Sequence, residues 1–177
     1  MKEYLDIVNE NDILIGKASR EECHKNKTLI HRGTNIYIFK SDKLDYILRV
    51  KRSAHVDTEA GKWTIVVGEH NKIGEDYDSS AKRCLKEELG IKGINIIKIS
   101  KVLRRMKNQT EIHQNYIAIY EGNINEFTLN TDELVKAEFI KLDKLKKDIK
   151  RNKAKYFSYI ESALEEIVKY KTNRKNF

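Results

Sequence analysis

A histidine, a glycine-bearing loop and three spaced carboxylates fall together between Gly68 and Ile91, in GEHNKIGEDYDSSAKRCLKEELGI. His70, Glu75, Glu87 and Glu88 supply nitrogen and oxygen donors, and Arg83 lies among them. Such a set suits holding a divalent cation against a phosphate, because hard cations prefer carboxylate oxygens and neutralise charge on the anhydride. The adjacent acids Glu87 and Glu88 repel each other unless a cation or solvent separates them.

The element that must present these groups is a helix preceded by a loop. Asp78-Ser79-Ser80 reads as its start, since short oxygen-bearing side chains accept from the free N–H groups of a first turn. Ala81, Leu85 and Leu89 recur every four residues as an apolar stripe, and Gly90 suits a left-handed cap. Arg83 and Glu87 are four apart, as are Cys84 and Glu88, so the paired acids project from a side other than the stripe.

The 177 residues, 40% of them hydrophobic, can bury a core within one domain spanning 1–177. Within it we expect an N-terminal hairpin over 3–18, a core over 30–145 and a helical C-terminal extension over 146–177. No apolar run approaches the roughly 18 residues of a membrane span, and MKEYLDIVNEND lacks a signal peptide's apolar centre. The expectation is a soluble cytoplasmic protein, monomer or homodimer, without a membrane partner. Cys23 and Cys84 are the two cysteines and imply no disulfide framework. The net charge of +8 favours anionic partners, whether phosphorylated small molecules or nucleic acid. The basic stretches Lys146–Lys155 and Lys169–Lys175 come without a recognisable aromatic stacking platform, so a solvated basic surface is preferred to nucleic-acid binding.

Taken in order, Leu5–Val8 and Ile13–Lys17 read as a hairpin around Asn9–Asp12, and Ser19 caps a short helix reaching His24. Strands follow at His31–Phe39, Asp45–Val50 and Trp63–Val67, with Lys51–Gly61 as a loop. Beyond the helix, Ile94–Arg104, Tyr116–Tyr120 and Ala137–Ile140 read as strands. Glu111 falls in the loop before YIAIY, and His55 and His113 at the surface. From Leu142 the period is helical to the end. Strands outnumber helices around one strong central helix, which argues an α+β fold, an α/β/α sandwich on a mixed sheet.

Glu75, seven residues, Arg83, two more, then Glu87-Glu88-Leu89-Gly90-Ile91 resemble the Nudix box, G-x5-E-x7-R-E-U-x-E-E-x-G-U with U apolar. The box glycine falls on Glu69, with Gly68 one position early, and Cys84 stands where a glutamate follows the arginine. EYLDIVNEN, HRGTNIYIF, Asp57–Trp63 and the GEH before the loop resemble the isopentenyl-diphosphate-isomerase-like branch. The resemblance covers about Glu3 to Leu145.

That resemblance implies a fold and a chemistry. In the family, the box binds Mg²⁺ or Mn²⁺, the metal bridges to a diphosphate, and water attacks phosphorus. Glu87 and Glu88 would be metal ligands, assisted by Glu75 and His70, with Arg83 and Glu87 counted in the catalytic set. Because a thiol is a poor ligand for a hard cation, either another acid takes over at Cys84 or hydrolysis is weak. Glu111 is the choice, with Glu69, Asp132 and Glu133 as further candidates. Arg52, Arg104 and Arg105 would meet substrate phosphates. His24, His31 and His70 resemble the three metal-binding histidines of the isomerases, where two acidic residues complete the site. Those enzymes place a catalytic cysteine where Gly68 stands. The expectation is a hydrolase cleaving a diphosphate linkage in a nucleoside-diphosphate derivative or related organic pyrophosphate. The alternatives are an isomerase-like enzyme and a nucleotide-binding domain without turnover.

Overall fold

The computed structural model describes residues 2–174. Its contacts divide the chain into two compact units. One gathers the residues up to Ile36 with Gly68–Cys84 and Lys98–Tyr116, and the other gathers Tyr37–Val67, Leu85–Ile97 and the residues from Ile117 onward.

In the first unit, strand β1 (Tyr4–Val8) pairs antiparallel with β2 (Leu14–Ser19). The turn between them forms because the Asn9 side chain accepts from the backbone N–H groups of Asn11 and Ile13, while Asp12 takes a left-handed φ of 63°. Ser19 ends β2 and begins helix α1 (Arg20–Cys23) through a reciprocal capping box with Glu22, as its spacing predicts. The other side of β1 pairs with β3 (Ile30–Phe39) at Ile7 and Val8. Strands β6 (Val67–His70) and β8 (Thr110–Ile119) also pair with β3, and β7 (Ile96–Arg105) pairs with β8.

In the second unit, β4 (Tyr46–Arg52) pairs with β3 at Phe39, with β5 (Trp63–Thr64), and along its length with β9 (Leu134–Lys141). Helix α2 (Tyr77–Leu89), like β3 and β8, gives residues to both units. With a mixed sheet and several helices, the fold is α+β, as expected.

Several expectations shift in detail. Helix α2 begins before Asp78-Ser79-Ser80, because the Asp76 side chain accepts from Ser79 N at 2.7 Å. Its stripe is buried as expected, with Ala81, Leu85 and Leu89 at 0%, 1% and 0% exposure, and Gly90 follows at φ 72°. The run Trp63–Val67 is broken at Ile65-Val66 into two strands. The strand expected to begin at Tyr116 begins at Thr110. Its first half, TEIHQN, is buried although mostly polar, so hydrophobic alternation gave no sign of it.

The expected single C-terminal helix is two helices, α3 (Leu142–Asn152) and α4 (Ile160–Arg174), within the described residues; the rest of the expected tail, 175–177, lies outside them. The break has a cause. The Phe157 N–H donates to the Trp63 carbonyl, Tyr156 bridges to Trp63, and the Tyr156 hydroxyl bonds Asp148 at 2.5 Å and Arg49 at 2.6 Å. These bonds hold 156–157 extended, where helical periodicity alone would continue. Among the described residues no helix is long and apolar enough to cross a membrane.

Candidate metal and catalytic site

Four side chains from four elements of the first unit converge. His24 caps the C-terminus of α1, His31 is the second residue of β3, His70 ends β6, and Glu111 is the second residue of β8. Their ligand atoms all lie within 4.8 Å of one another. His24 Nε2 is 3.2 Å from His70 Nε2, and Glu111 Oε1 is 3.2 Å from His31 Nε2 and 3.5 Å from His70 Nε2. The ring centroids are 4.9 to 5.4 Å apart.

The electrostatics suit a cation. Burial, reinforced by His70, Arg20 and His31, pushes His24 down to about 4, so it stands neutral with a lone pair to give. Burial would raise Glu111, but His113, His31 and His70 together hold it well below the usual carboxylate range. His31 is fully buried and neither ring nitrogen makes an aligned hydrogen bond, despite the 3.2 Å approach to Glu111. A buried imidazole without hydrogen bonds, facing two more imidazoles and an ionised carboxylate, fits a divalent ion far better than it fits an ordinary core.

Arg83 organises the adjoining loop. It donates to both oxygens of Glu75 (2.8 and 2.9 Å), to the His70 carbonyl at 2.9 Å, and to Glu69. The arginine thus ties the end of β6 to the start of α2, and with it the backbone of His70. Gly74 N donates to the buried Asp6 at 2.9 Å, so β1 braces the same loop.

The expected site residues are distributed as follows. His70 and Glu111 meet at the cluster, and Glu111 lies on a strand, not in a loop. Glu75, expected near metal, has both oxygens on Arg83. Glu87 is exposed on α2, and Glu88 is 7% exposed and accepts from Asn130 Nδ2 at 3.2 Å. Arg52 donates to the Thr58 carbonyl and lies over the Phe157 ring, Arg104 is half-buried on β7, and the exposed Arg105 pairs with Glu10 at 2.6 Å. Among the further candidates, Glu69 lies on Arg83 and Glu133 is 3.7 Å from Arg52.

His113, expected at the surface, is 7% exposed and lies 2.7 Å from Glu111. The sign available in the sequence was its spacing of two from Glu111, which puts both on one face of a strand once the strand is known to start at Thr110.

Gly68 bears on the choice between chemistries. A Cβ built there would collide with the Thr34 carbonyl oxygen and lie 3.0 Å from Asn35 Oδ1. Thus the position has no room for a side chain without a backbone shift. Cys84, in place of the box glutamate, is fully buried.

Residues 29–160 match the NUDIX domain model. The chain is 27% identical over 169 residues to isopentenyl-diphosphate Delta-isomerase 1 of Aromatoleum aromaticum, covering 95% of this chain and 94% of the relative. It is 32% identical over 151 residues to an uncharacterized Nudix hydrolase of Clostridium acetobutylicum, covering 81% and 72%. The crystal structure of DR0079 from Deinococcus radiodurans has the same fold, with a TM-score of 0.76 at 17% identity, covering 92% of this chain and 98% of that one. With three-quarters of its length matched by the family model, this chain belongs to the NUDIX family.

Proposed function

We propose that the protein is a metal-dependent Nudix pyrophosphate hydrolase that cleaves a diphosphate linkage in a nucleoside-diphosphate derivative or related organic pyrophosphate. Family membership and the hydrolase relative support the reaction class. The observation that carries the reading is the convergence of His24, His31, His70 and Glu111 beside a loop locked by Arg83. The bound cation would neutralise charge on the diphosphate and lower the pKa of a coordinated water.

The chain's own residues have separable tasks. The three imidazoles and Glu111 would hold the cation. Because Glu111 is held ionised, it is a weak proton acceptor and a good ligand, so we assign it to the metal and not to proton transfer. Arg83 and Glu75 fix the loop. Glu87, exposed on α2, and Glu88 are the proposed box carboxylates for Mg²⁺ or Mn²⁺, and Arg52, Arg104 and Arg105 the proposed phosphate contacts. The imidazole-rich group, with softer donors, favours Mn²⁺ or another first-row ion over Mg²⁺.

The histidine cluster and the isomerase relative favour a second reading, isomerisation of a prenyl diphosphate. The crowding at Gly68 weighs against it, since proton transfer at an allylic carbon would lack the thiol.

The deciding experiment is a panel of nucleotide sugars, dinucleotides, nucleoside triphosphates and prenyl diphosphates with Mg²⁺ and Mn²⁺, read by phosphate release and mass spectrometry. Hydrolysis of one diphosphate class is expected, lost in Glu87→Gln or Glu88→Gln. Unchanged turnover in both variants would sink the assignment of the box acids. Conversion of isopentenyl to dimethylallyl diphosphate with solvent proton exchange would establish the second reading.

A further inference from the structure

We infer that His113 is a positioning residue: it holds one oxygen of the Glu111 carboxylate, which fixes the plane of the group and points its other oxygen at the histidine cluster. The inference rests on the metal reading and deepens it.

Glu111 and His113 are two apart on β8, so their side chains leave the same face of the strand. Glu111 Oε2 lies 2.7 Å from His113 Nε2, while Oε1 faces His31 and His70 at 3.2 and 3.5 Å and accepts from Gln109 Nε2 at 2.7 Å. An ionised carboxylate only accepts, so the His113 proton sits on Nε2 and donates. Gln109 bonds the oxygen that faces the histidines, so without His113 the broad terminal torsion of a glutamate leaves the carboxylate plane free to turn about that oxygen.

His113 is itself held in place. It is 7% exposed, and its Nδ1 is buried without a hydrogen bond, so the Nε2 contact is the one polar interaction its ring makes among the described residues. Gly33 on β3 makes the space: a Cβ there would come within 2.9 Å of His113 Cδ2 and 3.0 Å of Nε2. With Nε2 spent on Glu111, His113 tunes the ligand without being one. Carboxylate and imidazole exchange their common roles here, the imidazole serving as the outer partner that orients the carboxylate.

The test is calorimetric titration of Mn²⁺ into metal-stripped wild type and the variants His113→Ala, His113→Gln and Gly33→Ala, with melting of each metal-free protein alongside. His113→Ala is expected to weaken binding about 10- to 100-fold, as for loss of an outer-shell partner. His113→Gln, whose amide nitrogen sits where Nε2 does, is expected to stay within about threefold of wild type. Gly33→Ala should behave like His113→Ala, because its new methyl displaces the ring. Equal affinity in His113→Ala, or lowered metal-free melting with affinity intact, would overturn the inference and leave the metal site standing. If His113→Gln loses as much as His113→Ala, the histidine is a ligand and the positioning role is wrong. A wild type that binds no Mn²⁺ overturns the metal reading and this inference together.

Discussion

Arg83 meets several acceptor atoms at once, among them two oxygens of Glu75, a Glu69 oxygen and the His70 carbonyl. A planar fork can serve them, whereas a lysine's point charge cannot. Arg83→Lys should therefore loosen the His70 backbone and lower hydrolase kcat/KM by about 10- to 100-fold, since small misplacements of positioned groups cost that much. Steady-state kinetics on the best panel substrate checks this. Cys84 invites the opposite manipulation, restoring the missing box glutamate. Its side chain is fully buried, so Cys84→Glu would place a charge where solvent does not reach. The expected result is destabilisation by about 3 kcal/mol or more with no gain in turnover, read by denaturant melts and kinetics. The spacing of Glu75, Arg83, Glu87 and Glu88 was legible across the loop and helix, but the partner of each was not, because a loop decides where Glu69 and Glu75 turn back onto Arg83.

The hairpin of β1 and β2 is an active support of the box loop. Asp12, at its turn, accepts from Arg32 Nε at 2.6 Å, Lys101 Nζ at 2.6 Å and the Tyr77 hydroxyl at 3.1 Å. Burial alone would raise the Asp12 carboxyl, but bonds and charge from Lys101 and Arg32 hold it below its ordinary value of 3.8. A carboxyl depressed on folding stabilises above its unfolded value and loses that contribution as pH falls through the folded one. Asp12→Asn, which keeps a residue tolerant of the left-handed turn, should be less stable than wild type at pH 7. The gap should narrow below about pH 4, as urea midpoints across pH 7 to 2.5 would record. At the other end, Tyr156 interrupts the C-terminal helical period by bonding Asp148 and Arg49. Tyr156→Phe should cost about 1 to 2 kcal/mol in urea unfolding, leaving Arg49 and Asp148 to each other. The hairpin and the capping box could be anticipated because turn and cap chemistry is local. The helix break could not, because its partners include Trp63 and Arg49, more than ninety residues away.

At the scale of the molecule, metal binding and folding should be linked. The four ligating groups come from α1, β3, β6 and β8, so an ion held by them ties distant segments and binds the native chain alone. At a free ion concentration about 100 times Kd this linkage is worth about 2.7 kcal/mol. Stripping the ion should thus lower Tm by about 5 to 10 °C in a chain of this length, measured by scanning calorimetry with and without chelator. A Tm insensitive to chelation would mean the cluster holds no structural ion.

The sequence by itself determined the family, the box helix with its apolar stripe and glycine cap, and the residue types able to bind a divalent ion. Those signals are short-range: a spacing of seven, a period of four, a cap beside its helix. Only the tertiary structure decided which groups meet. It brought His24, His31, His70 and Glu111 to one point, turned Glu75 onto Arg83, closed the space at Gly68 and buried His113 behind Glu111. Apart from the Glu75–Arg83 contact, which a loop decides, these depend on strand pairing between segments far apart in the chain, and on a buried polar strand whose composition resembles a loop until its neighbours are known.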